Sequence, residues 1–440
     1  MGTCSVSDFD LLQVVYYDVN GLPRGKTVPR NVAKRVTQSG LELIHVLQVV
    51  GLAADFPMSV ADLMQDFSNG LYKPDLDTLV QWPWASKSEC NVGQVIGHII
   101  KEDGSPDPLA VRHQAQNQLL KLQQLGHQLV SSFSCQFTVY RSSGDTCEDF
   151  LGGDGHLGIA PYDSAGQEKM MLDICWQLQA AGVQVESWSA GTGPGRFEMT
   201  LMPSHGIQAA DMACRLRHGI KSAVARHGYK ATFMAHPPGG ASFSALAFQF
   251  GVLSAAGENI FLDTADPDKL SGVGKSWLAG LLHHGPALTA LCCPTVNCYQ
   301  RLSRDPAAPH RLDWDVENSS AFLNVHVNQD DIMFEIKLAS PACNPYLVFL
   351  ATLAAGLDGV EKNLACPERN SPVAAAVPQR LETALQALHK DPVLEQAMSR
   401  LLFEAFIALK RDYEVPKFGA VEADEEEMKK LENFYYLSRI

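Results

Sequence analysis

Lys275 to Leu302 reads KSWLAGLLHHGPALTALCCPTVNCYQRL, and no Asp, Glu, Lys or Arg occurs between Trp277 and Gln300. An uncharged run of this length is either a membrane span or a buried part of a globular core. His283, His284, Pro286 and Asn297 decide for the core, because they would carry polar groups and a helix break into hydrocarbon. Immediately upstream, Ser271-Gly272-Val273-Gly274-Lys275-Ser276 ends like a phosphate-binding loop. Such a loop needs Gly five residues before its second Gly. That position is Lys269, so a plain turn ahead of a helix is expected.

Working outward, a second uncharged stretch runs from His236 to Gly257 and opens with Pro237-Pro238. It is rich in Ser and Gly and also reads as core. Further upstream, helix and strand patterns alternate. Val111, Ala115, Leu119 and Leu122 share one helical face ahead of Gly126. Met171, Ile174, Leu178 and Ala181 do the same ahead of Gly182, and Met212, Leu216, Ile220 and Val224 ahead of Gly228. Extended runs follow at 128–140, 183–187 and 232–235, and Phe197, Met199 and Leu201 alternate with Glu198 and Thr200 as in a half-buried strand. Phe334 to Leu338 repeats that alternation, and 376–412 reads as helices. Residues 9–30 read as two strands around Asn20-Gly21, and Val92 to Ile100 as another. At the far end, Asp424 to Glu427 reads as the acidic first turn of a docked helix. Glu425–Lys429 and Glu426–Lys430 lie at i,i+4 spacing there, and Met428, Leu431 and Tyr435 form its apolar stripe.

The 440 residues are 46% hydrophobic and 19% charged, enough apolar material for a full core. With 35 basic and 49 acidic residues the formal charge is −14, which disfavours nucleic acid and anionic membrane surfaces as partners. The eleven cysteines form no CxxC pair, and no histidines stand at HxxxH spacing. A reducing, cytoplasmic setting is expected, without a disulfide framework or a zinc site. Asp8 and Asp10 interrupt any leader-like apolar run, and Val6 spoils the myristoylation pattern that Met1-Gly2 begins. Gly191, Gly193 and Gly195 suggest a dinucleotide loop, but its third Gly falls on Arg196.

Six segments in order resemble the glutamine synthetase family across nearly the whole chain. They are Asp18–Pro29 (DVNGLPRGKTVP), Lys73–Trp84 (KPDLDTLVQWPW), Gly191–Met199 (GTGPGRFEM), Ala231–Pro237 (ATFMAHP), Lys275–Leu302 and Phe334–Leu347 (FEIKLASPACNPYL). The resemblance implies an α+β glutamine synthetase fold. A small β-grasp-like N-terminal domain would cover 1–101, and a large α/β catalytic-type domain with a curved antiparallel sheet would cover 102–440. It also implies a homo-oligomer, a dodecamer of two stacked hexameric rings with each active site between neighbouring subunits.

A glutamine synthetase phosphorylates glutamate with ATP and displaces the phosphate with ammonia. That chemistry needs two Mg²⁺ or Mn²⁺ ions held by carboxylates, arginines on the transferring phosphoryl group, and a carboxylate to deprotonate ammonium. Carried over by position, the resemblance finds that set degenerate. Ser134 and Gln136 stand where two metal-binding Glu are expected, Ala190 where a third is expected, and Ala247 and Gln249 where the family has His-x-His. Glu198 and Glu335 are kept. Arg301 matches a family arginine, whereas Ser319 and Asn324 replace two others and Lys337 a third, losing the bidentate fork. Ala307 aligns with the flap Glu.

The expectation is therefore a pseudoenzyme with no catalytic residues, no metal and no cofactor. Within the family the chain is most similar to a non-catalytic branch from the eye lens, regarded as structural or chaperone-like. That likeness makes intermediate-filament proteins the implied partners, with no nucleic acid and no membrane. The alternative expectation is an active ATP-dependent ligase joining glutamate to ammonia or another amine. A third is a retained small-ligand site around Arg301 and Lys337, for an anion or an amino acid.

Overall fold

The structure is a computed structural model that describes residues 4–64, 67–87, 89–141, 149–150, 165–237, 239–240, 242–328 and 331–440. Met1-Gly2, part of the myristoylation pattern, lies outside these residues, as does Pro238. The first sheet is built from β1 (Leu11–Tyr17), β2 (Pro23–Pro29), β3 (Leu41–Ile44), β4 (Asn69–Pro74), β5 (Val80–Gln81) and β6 (Val92–Ile100). Its order is β2-β1-β6-β4-β3, with β5 also on β6. The turn between β1 and β2 places Gly21 at φ +72°, a conformation that costs an L-residue with a Cβ more than it costs glycine.

The second sheet carries the larger part of the chain. Its strands are β7 (His127–Arg141), β8 (Asp149–Phe150), β9 (Val185–Ala190), β10 (Arg196–Leu201), β11 (Ser204–His205), β12 (Lys230–Thr232), β13 (Leu246–Ser254), β14 (Trp314–Val316), β15 (Leu323–Val327) and β16 (Ile332–Ile336). The order is β14-β15-β16-β13-β7-β10-β9, and β8, β11 and β12 also pair with β7. All these pairings are antiparallel except β14 with β15, which is parallel. Several elements sit about two residues from the sequence expectation. The strand expected at 183–187 is Val185–Ala190, that at 232–235 is Lys230–Thr232, and that at 334–338 is Ile332–Ile336. Apolar residues continue past Thr232 and Ile336 and begin ahead of Val185, so pattern alone does not fix the ends.

Alternation along β7 gives the sheet its two faces. Phe133, Cys135, Phe137 and Val139 are buried in the core, whereas Ser132, Ser134, Gln136 and Thr138 point the other way. The core face stacks aromatic rings, with Phe261 and Phe334 nearly parallel at 4.3 Å and Phe133 on Phe248 at 4.6 Å. Each fully buried Phe contributes about 1.5–3 kcal/mol.

Helices cover this core. The Lys275–Leu302 stretch folds as helices Gly272–His283, Gly285–Cys292 and Cys298–Arg304, the first capped by Ser271 Oγ accepting from Gly274 N at 3.0 Å. That helix packs on Pro345–Glu361 so closely that a Cβ at Gly280 would lie 2.2 Å from the Ala355 carbonyl oxygen. A Cβ at Gly356 would lie 2.0 Å from the Trp277 ring. Among the described residues no helix is long and apolar enough to cross a membrane. The terminal helix is Glu425–Glu432; Asp424 is its cap and not part of its first turn, accepting from the Glu426 and Glu427 amides. Lys430 pairs with Glu426 and Glu427, whereas the expected Glu425–Lys429 pair is not among the described ion pairs. The ten described cysteines are all free thiols.

Candidate functional site

The polar face of the second sheet gathers most of the degenerate positions. Because side chains alternate, residues two apart on a strand share a face, and antiparallel partners share it across the ladder. Glu198 on β10 pairs with Gln136 on β7, Thr200 with Ser134, Ala247 on β13 with Ser134, and Gln249 with both Ser132 and Glu335. Asn324 on β15 completes the row opposite Glu335.

Each retained carboxylate is already occupied. Glu198 Oε1 accepts from the Ser134 hydroxyl at 2.7 Å, and Oε2 from the Gln136 amide at 2.8 Å. Ser134 also meets Thr200 Oγ1 at 3.0 Å. The far end of Gln136 is fixed too, its Oε1 accepting from the Ala245 backbone at 2.8 Å and from the Arg196 guanidinium. Glu335 Oε1 accepts from the Gln249 amide at 3.1 Å. Its Oε2 takes Asn324 Nδ2 at 3.2 Å and His326 Nε2 at 3.0 Å, with Lys337 Nζ 3.9 Å away.

These contacts set the charges. Burial raises the Glu335 carboxyl, but the His326 hydrogen bond, the Lys337 charge and the two amides outweigh it and hold it down at about 2. The hydrogen bond to Glu335 pushes His326 up in turn, aided by Glu317, whose Oε2 lies 3.2 Å from His326 Nδ1. Burial presses the Arg196 guanidinium down. At this face Glu335 is thus an anion clasped by two amides and the His326 imidazole.

Four positions stand apart from this row. Ala190 pairs with Phe197 and faces the core; Ser189 lies opposite Glu198, and Gly191 beside Arg196. The expectation that Ala190 occupies a ligand position is therefore corrected by strand parity, and the residues flanking it carry no carboxylate either. Ala307 and Ser319 are exposed in loops. Arg301 is buried, its guanidinium donating to the Leu338 carbonyl at 3.0 Å and the Lys337 carbonyl at 2.8 Å, so it braces the end of β16. Arg196, Thr200 and His326 escaped the sequence reading. Their signal was period two, each lying two residues from a position already singled out on the same strand.

Two hard divalent cations of the kind the fold implies need clustered oxygen donors and imidazoles. The residues present do not fit them. Gln136 and Gln249 turn amide hydrogens toward the carboxylates a metal would use. Among the described residues no group of three His, Cys, Asp or Glu side chains could hold a metal ion.

The family model described as "Glutamine synthetase, catalytic domain" matches residues 108–430. Human lengsin is 30% identical over 413 residues, spanning 90% of this chain and 78% of that protein. The glutamine synthetase of Halobacterium salinarum is 26% identical over 442 residues, spanning 97% of this chain and 94% of that one. Among solved structures, one described as "GmaS/ADP complex-Conformation 1" has a TM-score of 0.82 at 25% identity, covering 98% of this chain and 100% of that one. One described as "Crystal structure of novel glutamine synthase homolog" reaches 0.84 at 21% identity, covering 99% of this chain and 100% of that one, which is a likeness of fold.

Proposed function

The chain belongs to the glutamine synthetase family, and we propose that it is a non-catalytic member whose former metal site now holds strands together. The observation that carries this reading is the capping of both remaining carboxylates by side-chain amides, Gln136 on Glu198 and Gln249 on Glu335. Both amides occupy positions where the family resemblance expects a metal ligand. Losing one charged group that stabilises a transition state typically costs about 10²–10³ in rate. Here the metal, phosphate and base positions are altered together, with Asn324 and Ser319 in place of arginines and Ala307 in place of the flap Glu. The same contacts gain a structural role, because Gln249–Glu335–Asn324 bridges β13, β16 and β15, and Gln136–Glu198 bridges β7 and β10.

The proposed role is that of an oligomeric structural or chaperone-like component, folded as a small unit over 1–101 and a large one over 102–440 and assembled as two stacked hexameric rings in the cytoplasm. Intermediate-filament proteins are the partner class that the likeness to lengsin suggests. Light scattering on the purified protein tests the rings, and co-sedimentation with assembled intermediate filaments tests the partner. A monomer, or protein left wholly in the supernatant, removes the corresponding part of the reading.

A second reading is an active ATP-dependent ligase acting on ammonia or another amine. It is favoured by the likeness to a structure whose description includes ADP and to a glutamine synthetase of comparable identity. Phosphate release measured with Mg-ATP, glutamate and a panel of amines separates the two. The non-catalytic reading expects no release above background for any amine.

A further inference from the structure

Away from the strand cluster, a cavity of about 490 Å³ opens where the helix Gln208–Arg226 passes the β1–β2 turn and the last residues of the chain. Arg24, Arg217, His218, Lys221 and Arg439 line it, and no Asp or Glu does. None of its lining residues belongs to the site described above. Cys214, Arg217, His218 and Lys221 fall at i, i+3, i+4 and i+7, one face of the helix adjoining the apolar face of Met212, Leu216, Ile220 and Val224. Leu22, Leu52 and Cys214 supply apolar wall.

The charges in this cavity are poorly compensated. Arg24 is tied to buried Asp18 at 2.9 Å. Arg217 is buried, donates Nη1 to the Cys343 carbonyl at 2.6 Å and has its guanidinium 5.6 Å from the centre of the Phe233 ring. Lys221 donates to the Ser438 carbonyl at 3.1 Å, and the Arg439 guanidinium lies 4.6 Å from the centre of the Phe434 ring. Among the described ion pairs none joins Arg217, Lys221 or Arg439 to a carboxylate. Burial and the Arg217 charge push the Lys221 ammonium down, and burial and the Lys221 charge push His218 down to about 4. Burial is the larger cause in both, and the neighbouring positive charge adds to it. In a chain of net charge −14, three basic side chains, Arg217, Lys221 and Arg439, converge on a space the size of a small-molecule site, typically about 300–1,000 Å³.

We propose that this cavity binds a small organic polyanion, its phosphate or carboxylate oxygens held by Arg217, Lys221 and Arg439 and its body set against Leu22 and Leu52. Guanidinium forks match both oxyanions, and charge-assisted bonds to them are the strong ones. Pyrophosphate and citrate titrated into the purified full chain, by calorimetry and by melting, test it and tell phosphate from carboxylate recognition. NaCl at matched ionic strength is the control. The expected result is saturable binding of one or both probes with a raised Tm. Lys221→Gln combined with Arg439→Gln weakens it by about tenfold or more, while the Tm without anion stays unchanged. If the double variant loses its fold by circular dichroism, Arg439→Gln alone carries the test, and Lys221→Arg retains binding. No binding by either probe beyond the NaCl control overturns the proposal. So does an affinity unchanged by the substitutions, or a neighbouring copy's carboxylate filling the cavity in a structure of the assembly.

Discussion

The side-chain amide of Gln249 donates to Oε1 of Glu335 at 3.1 Å, across the β13–β16 pair, where a metal ligand would leave that oxygen free. A carboxylate engaged by Gln249, Asn324 and His326 acts as a strut between strands. Glu335→Gln is expected to cost about 1–3 kcal/mol in urea unfolding, the usual penalty for leaving buried partners unmatched. The sign of its pH dependence follows from the depressed carboxyl. Its stabilisation is complete above the ordinary value of 4.5 and is lost as pH falls toward about 2. Wild type should therefore lose more stability than Glu335→Gln between those limits. Parallel stability curves across that range contradict the strut.

Putting a ligand back should expose what the amides now hide. Gln136→Glu sets a carboxylate against Glu198 Oε2, where the amide stands at 2.8 Å. Like charges at that spacing repel, so the variant should be about 1–2 kcal/mol less stable than wild type at neutral pH, and Mn²⁺ should recover part of the loss. Melting with and without Mn²⁺ reads this out. An equal Mn²⁺ response in wild type contradicts the reading.

His284 gives a pH effect of the opposite sign. Its Nδ1 lies 2.6 Å from Asp391 Oδ2 and its Nε2 3.1 Å from Asp358 Oδ2. Burial presses the imidazole down, yet the two carboxylates outweigh it and raise it above 6.5. The stabilisation, about 1.5–3 kcal/mol for bonds to charged groups, is complete below 6.5 and fades as pH rises through the higher folded value. Melting of His284→Gln should show a weaker fall with rising pH above 6.5 than wild type. A steeper fall in the variant counts against the clamp.

Asp211 ties the helix Gln208–Arg226 to its surroundings. Arg112 donates to both its oxygens at 2.8 Å, the Tyr346 hydroxyl donates to Oδ1, and Arg112 reaches Asp75, just past β4, at 2.9 Å. Breaking a buried pair from one side leaves a charge uncompensated. Asp211→Asn should therefore cost about 3–5 kcal/mol in chemical denaturation. A loss under about 1 kcal/mol would show that the network relaxes without it.

Much of this was legible in the residues. The glycine stops at Gly126, Gly182 and Gly228 all fall at positive φ just past helices, because the helix-ending conformation favours the residue without a Cβ. Glu198, Gln136, Gln249, Asn324 and Glu335 share one face, as strand alternation demands. Ala190 misled because a residue count between positions ignores which face the intervening strand presents. Arg196 and His326 show only a period-two signal within their own strands. Each acts through a partner on another strand, and one sequence carries no register between strands. The basic cavity was hidden similarly: the helix face of Arg217, His218 and Lys221 gains its meaning only when Arg24 and Arg439 arrive from opposite ends of the chain.

The central claim is that this chain has kept the fold and lost the metal–nucleotide site. Calorimetric titration of Mg-ATP into the purified protein is the test. On this reading no Mg-ATP heat or Tm shift depends on Glu335, so wild type and Glu335→Gln respond alike. Stoichiometric binding of about one Mg-ATP per chain, abolished by Glu335→Gln, would contradict it.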